Sequence, residues 1–172
     1  MLQCEDNISR KGKKFAIDPE LPEETDLQKD YLHSGYDRGH NMSAEDNKCN
    51  NIGMEECFYF SNMFPQIHSL NAGTWEELER KERKEANEYG SVKVFVGSLG
   101  KLCTIGEDNV VVPMYCWKII YLQSTNEYEC YIFPNEQPSD KNIEDYTTSL
   151  EIIEKKTGIY FKGEKAIIKG EN

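Results

Sequence analysis

Ser34-Gly35-Tyr36-Asp37-Arg38-Gly39-His40-Asn41 is the stretch from which the rest of the chain is read. Inside it a carboxylate, a guanidinium, a residue without Cβ and an imidazole follow one another directly. An imidazole titrates near neutrality and can serve as a base. Arginine presents a planar fork that matches a phosphate. Glycine is read here as room for that phosphate to approach the backbone. The combination suits hydrolysis at a phosphate ester, but a tetrapeptide alone is a weak signal and its surroundings must decide.

At 172 residues the chain fits one domain and is long enough to bury a core. With 38% hydrophobic and 11% aromatic residues it is globular rather than disordered. No apolar run approaches the roughly twenty residues of a membrane span. Met1-Leu2-Gln3-Cys4-Glu5-Asp6 has neither the basic nor the apolar region of a secretory signal. A net charge of −11 argues against coating nucleic acid by bulk electrostatics, yet allows a local basic site. Arg10, Lys11, Lys13, Lys14 and Arg80, Lys81, Arg83, Lys84 form two basic clusters, with solvated surface as the alternative reading. Cys4, Cys49, Cys57, Cys103, Cys116 and Cys130 contain no C-x-x-C pair. An even count without metal spacing leans towards disulfides in a secreted or periplasmic protein, against buried free thiols.

Residues 1–33, punctuated by Pro19 and Pro22, read as extended chain that Phe15 and Ile17 pin to the core. The Asn-, Asp- and Gly-rich residues 41–53 read as a loop, and 56–62 as a strand ended by Pro65. A helix is predicted from Asn71 to Tyr89, with Trp75, Leu78, Ala86 and Tyr89 as its apolar stripe, a gap at Glu82, and Gly90 as its stop. Strands follow at 92–96, ended by Gly97, and at 110–112; a hairpin joins 115–122 to 128–133 around Ser124-Thr125-Asn126. A short helix runs from Thr147 to Lys156 with Thr157-Gly158 as its stop. The mixed order predicts an α+β fold, a central antiparallel sheet with flanking helices.

Two further motifs, Asn62-Met63-Phe64-Pro65-Gln66 and Asn71-Ala72-Gly73-Thr74-Trp75-Glu76-Glu77-Leu78-Glu79, stand downstream of Asp37-Arg38-Gly39-His40. With Val96-Gly97, Trp117-Lys118, Phe133-Pro134-Asn135 and Ile153-Glu154-Lys155-Lys156-Thr157-Gly158, they make the chain resemble the sugar-non-specific DNA/RNA endonucleases, the DRGH-type ββα-metal nucleases. The resemblance covers about residues 8 to 161. It implies a metal-dependent endonuclease that acts on DNA and RNA with one hydrated Mg²⁺ (Mn²⁺ can substitute) and leaves 5′-phosphate products.

Residue by residue, the resemblance implies that His40 is the general base, with a pKa near the ordinary value. Asn71 is the one protein ligand of the metal; an ordinary helix N-cap is its alternative. Glu79, about 12 Å of helix rise further on, would hold a metal-bound water; otherwise it is an i,i+4 partner of Arg83. Arg38 would support the substrate phosphate, with a structural ion pair as its rival. Arg10, Asn62, Gln66 and Arg83 are the expected substrate-binding residues; for Asn62 and Gln66 a buried polar network is an equal alternative. His33 and His68 are read as ordinary surface or core histidines, and Trp75 as core.

The sequence departs from the pattern in two places. Asn41-Met42-Ser43-Ala44 lacks the proline that often follows the motif. Only about nine residues precede the match at Arg10, so residues 1–172 are expected as one nuclease domain, cut upstream of an N-terminal edge strand or naturally short. The competing class is a non-catalytic nucleic-acid- or partner-binding module on the same scaffold, and an inhibitor protein is a further partner to consider.

Overall fold

A computed structural model describes residues 8–21, 28–138 and 142–168. Cys4, Pro22 and the adjoining acidic residues Glu23, Glu24 and Asp26 lie outside those residues. The fold is α+β, as the order of segments predicts; besides the elements described below it has α1 (Gln28–Tyr31), β4 (Cys103–Ile105), β5 (Val110–Val112) and β10 (Lys165–Ile168). Its centre is a four-stranded antiparallel sheet with strand order β3-β6-β7-β8, where β3 is Val92–Leu99, β6 Tyr115–Leu122, β7 Glu127–Pro134 and β8 Thr147–Thr148.

Strand β6 explains the layering. Alternate side chains of a strand point to opposite faces. Cys116, Ile120 and Leu122 join the core beneath helix α3 (Glu76–Tyr89) with Trp75, Leu78 and Phe133. Trp117 and Ile119 join Ile153 and Phe161, from helix α4 (Leu150–Thr157) and strand β9 (Ile159–Lys162), on the other face. Ser149 caps α4 and Gly158, at φ 74°, ends it, close to the expected bounds. The β6–β7 hairpin turns where predicted, with Asn126 at φ 59°. Strand β3, however, runs on to Leu99. Gly97 is a close-approach position within the strand: a Cβ there would lie 2.8 Å from Trp117 Cε2.

The second unit is a two-stranded antiparallel ribbon, β1 (Tyr36–His40) with β2 (Met63–Ile67), registered from Tyr36 opposite Ile67 to His40 opposite Met63. It leads through an irregular turn, Leu70–Trp75, into α3, so the order here is ββα. The 56–62 strand expectation fails. Asn50 accepts hydrogen bonds from the Ile52 and Gly53 amides and starts a helix, α2 (Asn51–Glu56), inside the supposed loop. Phe58 and Phe60 are buried in the connection that follows, packing against Phe15. The 41–53 loop also contains a 3₁₀ turn, Ala44–Asn47, capped by Ser43.

Pro65 sits in the middle of β2 instead of ending it. Its carbonyl accepts from Asn135 Nδ2 (2.8 Å), and Ile67 donates its amide to Asn135 Oδ1 (3.0 Å). The edge of Pro65 that lacks an N–H therefore faces away from β1, where no ladder bond is lost. Asn135 Nδ2 also reaches Pro113 O (3.1 Å), tying the ribbon to the start of β6.

The α3 stripe is partly as expected. Trp75 and Leu78 are fully buried, but Tyr89 is exposed, and the buried face continues through Glu82 and Glu85. Glu82 fills the expected gap by pairing with Lys118 of β6 at 2.7 Å, and Lys118 Nζ lies 4.5 Å from the Trp75 ring centre. Burial pushes the Glu82 carboxyl up to about 7 against the pull of Lys118. Phe15 does pin the N-terminal segment, helped by a bridge from Ala16 to Tyr59, whereas Ile17 is exposed.

Candidate active site

The end of β1, the segment around Arg10 and Phe15, and the start of α3 enclose a cleft of about 470 Å³. Arg10, Arg38, His40, Asn71 and Glu79 all line it. The imidazole and the carboxamide that motif matching singled out thus open onto one space, although 31 positions separate them in sequence.

His40 is the last residue of β1, where the ribbon register sets it opposite Met63. Its ring lies between Phe15 and Phe58, with centroids 6.0 and 5.5 Å away, and Trp75 Nε1 donates to its carbonyl (3.3 Å). Burial and the nearby Arg10 charge push its pKa down to about 4, against a raising hydrogen bond to the Arg38 backbone. Nε2 is buried and has no hydrogen-bond partner among the described residues. The expectation of a near-ordinary pKa is corrected: at neutral pH the imidazole is essentially all in its basic form, as a weaker base.

Asn71 lies in the irregular turn ahead of α3, not at a helix N-cap. Its Nδ2 donates to Asp37 Oδ2 (2.9 Å). That bond occupies the amide's donor side and leaves Oδ1 as the group available to a cation. Asp37 Oδ2 also accepts from His68 Nδ1 (2.8 Å). Glu79 is largely buried, accepts from the Ser43 side chain and has its pKa raised by burial, with Lys118 acting against the rise. Arg38 is stacked between the Phe15 and Tyr31 rings, 5.0 Å from each centroid, and donates to Gln28 O (3.1 Å). Burial lowers its pKa, though a guanidinium remains charged in proteins. Arg10 is exposed and stands 5.8 Å from the Phe58 ring centre.

These residues fit a hydrated divalent cation. Asn71, with its amide oxygen uncommitted to Asp37, the Glu79 carboxylate and the neutral His40 ring all belong to the cleft wall. Among the described residues no three His, Cys, Asp or Glu gather to hold an ion. A hard cation bound through Asn71 would therefore keep most of its water, as Mg²⁺ prefers.

Three expected substrate-binding residues are elsewhere. Asn62 spends its side chain on the loop: Nδ2 donates to Met42 O and Cys57 O, and Oδ1 accepts from Met42 N. Gln66 is wholly buried against Gly39. Arg83 pairs with Asp46 (2.9 Å), outside the cleft, and not with Glu79. Asn62, half-buried, belongs to a hydrogen-bonded network, whereas Gln66 is buried outside one: neither of its amide atoms has a hydrogen-bond partner among the described residues. Sequence reading missed Asp37 as Asn71's partner, Ser43 as Glu79's, and Glu76 and Tyr36 in the cleft wall. Tyr36 and Asp37 stood inside the opening stretch and Glu76 inside the motif that starts at Asn71, without a signal for these contacts; Ser43 carries none.

The family model for DNA/RNA non-specific endonucleases matches residues 3–166. Among similar proteins, the mitochondrial nuclease EXOG of Danio rerio is 33% identical over 89% of this chain and 50% of its own length. Human mitochondrial endonuclease G is 32% identical over 77% of this chain and 50% of its own. Nuclease C1 of Cunninghamella echinulata var. echinulata is 33% identical over 93% and 70%. In a crystal structure of an EndoG/EndoGI complex, one chain matches with a TM-score of 0.83 at 28% identity, over 93% of this chain and 73% of that one. The chain spans about half the length of the two mitochondrial relatives. Those names overturn the expectation of a secreted or periplasmic protein. The disulfide expectation is met only in part: Cys49 is disulfide-bonded, whereas Cys57, Cys103, Cys116 and Cys130 are free thiols. With the family model matched across nearly its whole length, this chain belongs to the DNA/RNA non-specific endonucleases.

Proposed function

We propose that this chain is a metal-dependent endonuclease that hydrolyses phosphodiester bonds of DNA and RNA with little sequence selectivity. The observation that carries the reading is the placement of His40 and Asn71 on the wall of one cleft, with the Asn71 amide nitrogen held by Asp37. His40, neutral at pH 7 and seated between the Phe15 and Phe58 rings, takes a proton from the attacking water. Arg38, held by two aromatic faces, and Arg10 meet the phosphate, whose contacts carry no base identity. The phosphate dianion character that develops during attack also favours the protonated ring, which offsets its low pKa.

Asn71 Oδ1 would hold Mg²⁺, or Mn²⁺ in its stead, and Glu79 one of its waters. When bound, the ion stabilises charge on the non-bridging oxygens and on the leaving 3′ oxygen. The products then carry 5′ phosphates. An inhibitor protein that covers the cleft is the partner class this reading suggests, in line with the EndoG/EndoGI complex.

Nicking of supercoiled plasmid and cleavage of RNA, each with Mg²⁺ and with EDTA, test the proposal. Both activities should vanish in EDTA, and His40→Ala should slow them by about 10²–10⁴-fold or more. Unchanged nicking in that variant would remove His40 as the base. Stable gel-shift complexes without cleavage in Mg²⁺ would favour a binding module instead.

A further inference from the structure

We propose that His68 is a positioning residue for the cation site, acting through Asp37 on the orientation of the Asn71 carboxamide. The inference rests on the reading of Asn71 as the metal ligand. His68 and Asn71 are three residues apart at the helical start that follows β2, so they share one face. Both reach the same atom: His68 Nδ1 lies 2.8 Å and Asn71 Nδ2 2.9 Å from Asp37 Oδ2. A carboxylate only accepts, so His68 donates from Nδ1.

Two donors on one oxygen fix the rotation of the carboxylate. A carboxylate held that way repels an amide oxygen and binds an amide N–H, so Asn71 is kept with Nδ2 towards Asp37 and Oδ1 towards the cleft. With His68 removed, Asp37 is free to turn, and Asn71 loses the constraint against a flip that would present an NH₂, which cannot ligate a cation. His68 itself does not line the cleft, and its side chain is 78% exposed. Its contribution is therefore that of an outer hydrogen bond, small but specific to the ligand's orientation.

Mn²⁺ binding to the full chain, without nucleic acid, is followed by loss of the free-ion electron paramagnetic resonance signal. His68→Ala should weaken binding about threefold. His68→Gln, which restores an N–H donor, should recover most of that loss. Asn71→Ala should weaken binding at least tenfold. In cleavage assays, His68→Ala should raise the half-saturating metal concentration by the same factor and leave kcat at saturating metal unchanged. Parent-like Mn²⁺ affinity in His68→Ala, or equal weakening in His68→Gln, overturns the inference while the Asn71 reading stands. Parent-like affinity in Asn71→Ala overturns the reading beneath it.

Discussion

Gly39 shows how one residue can be read correctly as special and wrongly as to why. In sequence it stands for space near a phosphate. In the structure its missing Cβ makes room for Gln66 on the paired strand: a Cβ would overlap the Gln66 carboxamide and lie 2.6 Å from its Cδ. Gln66 is fully buried and has nowhere to swing. Gly39→Ala should therefore destabilise by about 1–3 kcal/mol through overpacking. For a chain this size, that corresponds to a fall in Tm of roughly 2–12 °C. Gln66→Ala removes the overlap, so the double variant should be more stable than the sum of the two single changes. Thermal unfolding of the four proteins measures that coupling.

At the scale of elements, β2 is a strand whose outer edge is completed by a side chain. Asn135 supplies the acceptor for Ile67 N and the donor for Pro65 O that a neighbouring strand would have supplied. It is 3% exposed, so removing it leaves those groups unpaired in the interior. Asn135→Ala should cost about 2–4 kcal/mol, and Asn135→Asp, which keeps the acceptor but not the donor, should also be destabilised. Urea unfolding midpoints test both. Helix α3 is anchored differently, by the Glu82–Lys118 pair stacked against Trp75. Breaking one half of a buried pair is costly because the other charge is stranded. That accounts for a glutamate and a lysine at positions that the hydrophobic pattern would assign to apolar residues.

For the whole molecule, His40 links stability to pH. Its ordinary pKa is 6.5 and its folded value is about 4, so between these the unfolded chain binds more protons than the folded one. The stability it contributes is complete above pH 6.5 and is lost as pH falls towards 4, up to about 3 kcal/mol in all. Glu82, raised to about 7, runs the opposite way: its contribution is present at acid pH and is lost as pH rises through 7. His40→Ala should thus unfold more easily than the parent at pH 7.5, with the gap narrowing by pH 4.5. Urea titrations at both values decide it, and a gap that stays constant would mean the ring is not buried in its neutral form.

The amino-acid sequence alone determined the family, the α+β class, the α3 helix and the β6–β7 hairpin, and it singled out His40, Asn71 and Glu79 as candidates. Those features are local: a helical period, a turn residue or a contiguous run of residue types is written along the chain. Tertiary structure decided which matched residues share the cleft. Arg10 and Arg38 open onto it, while Asn62, Gln66 and Arg83 are spent on a loop, a buried strand contact and an ion pair with Asp46. A side chain's polarity shows that it needs a partner. Which partner it finds depends on pairings between strands and helices far apart in sequence, and those exist only once the chain has closed on itself.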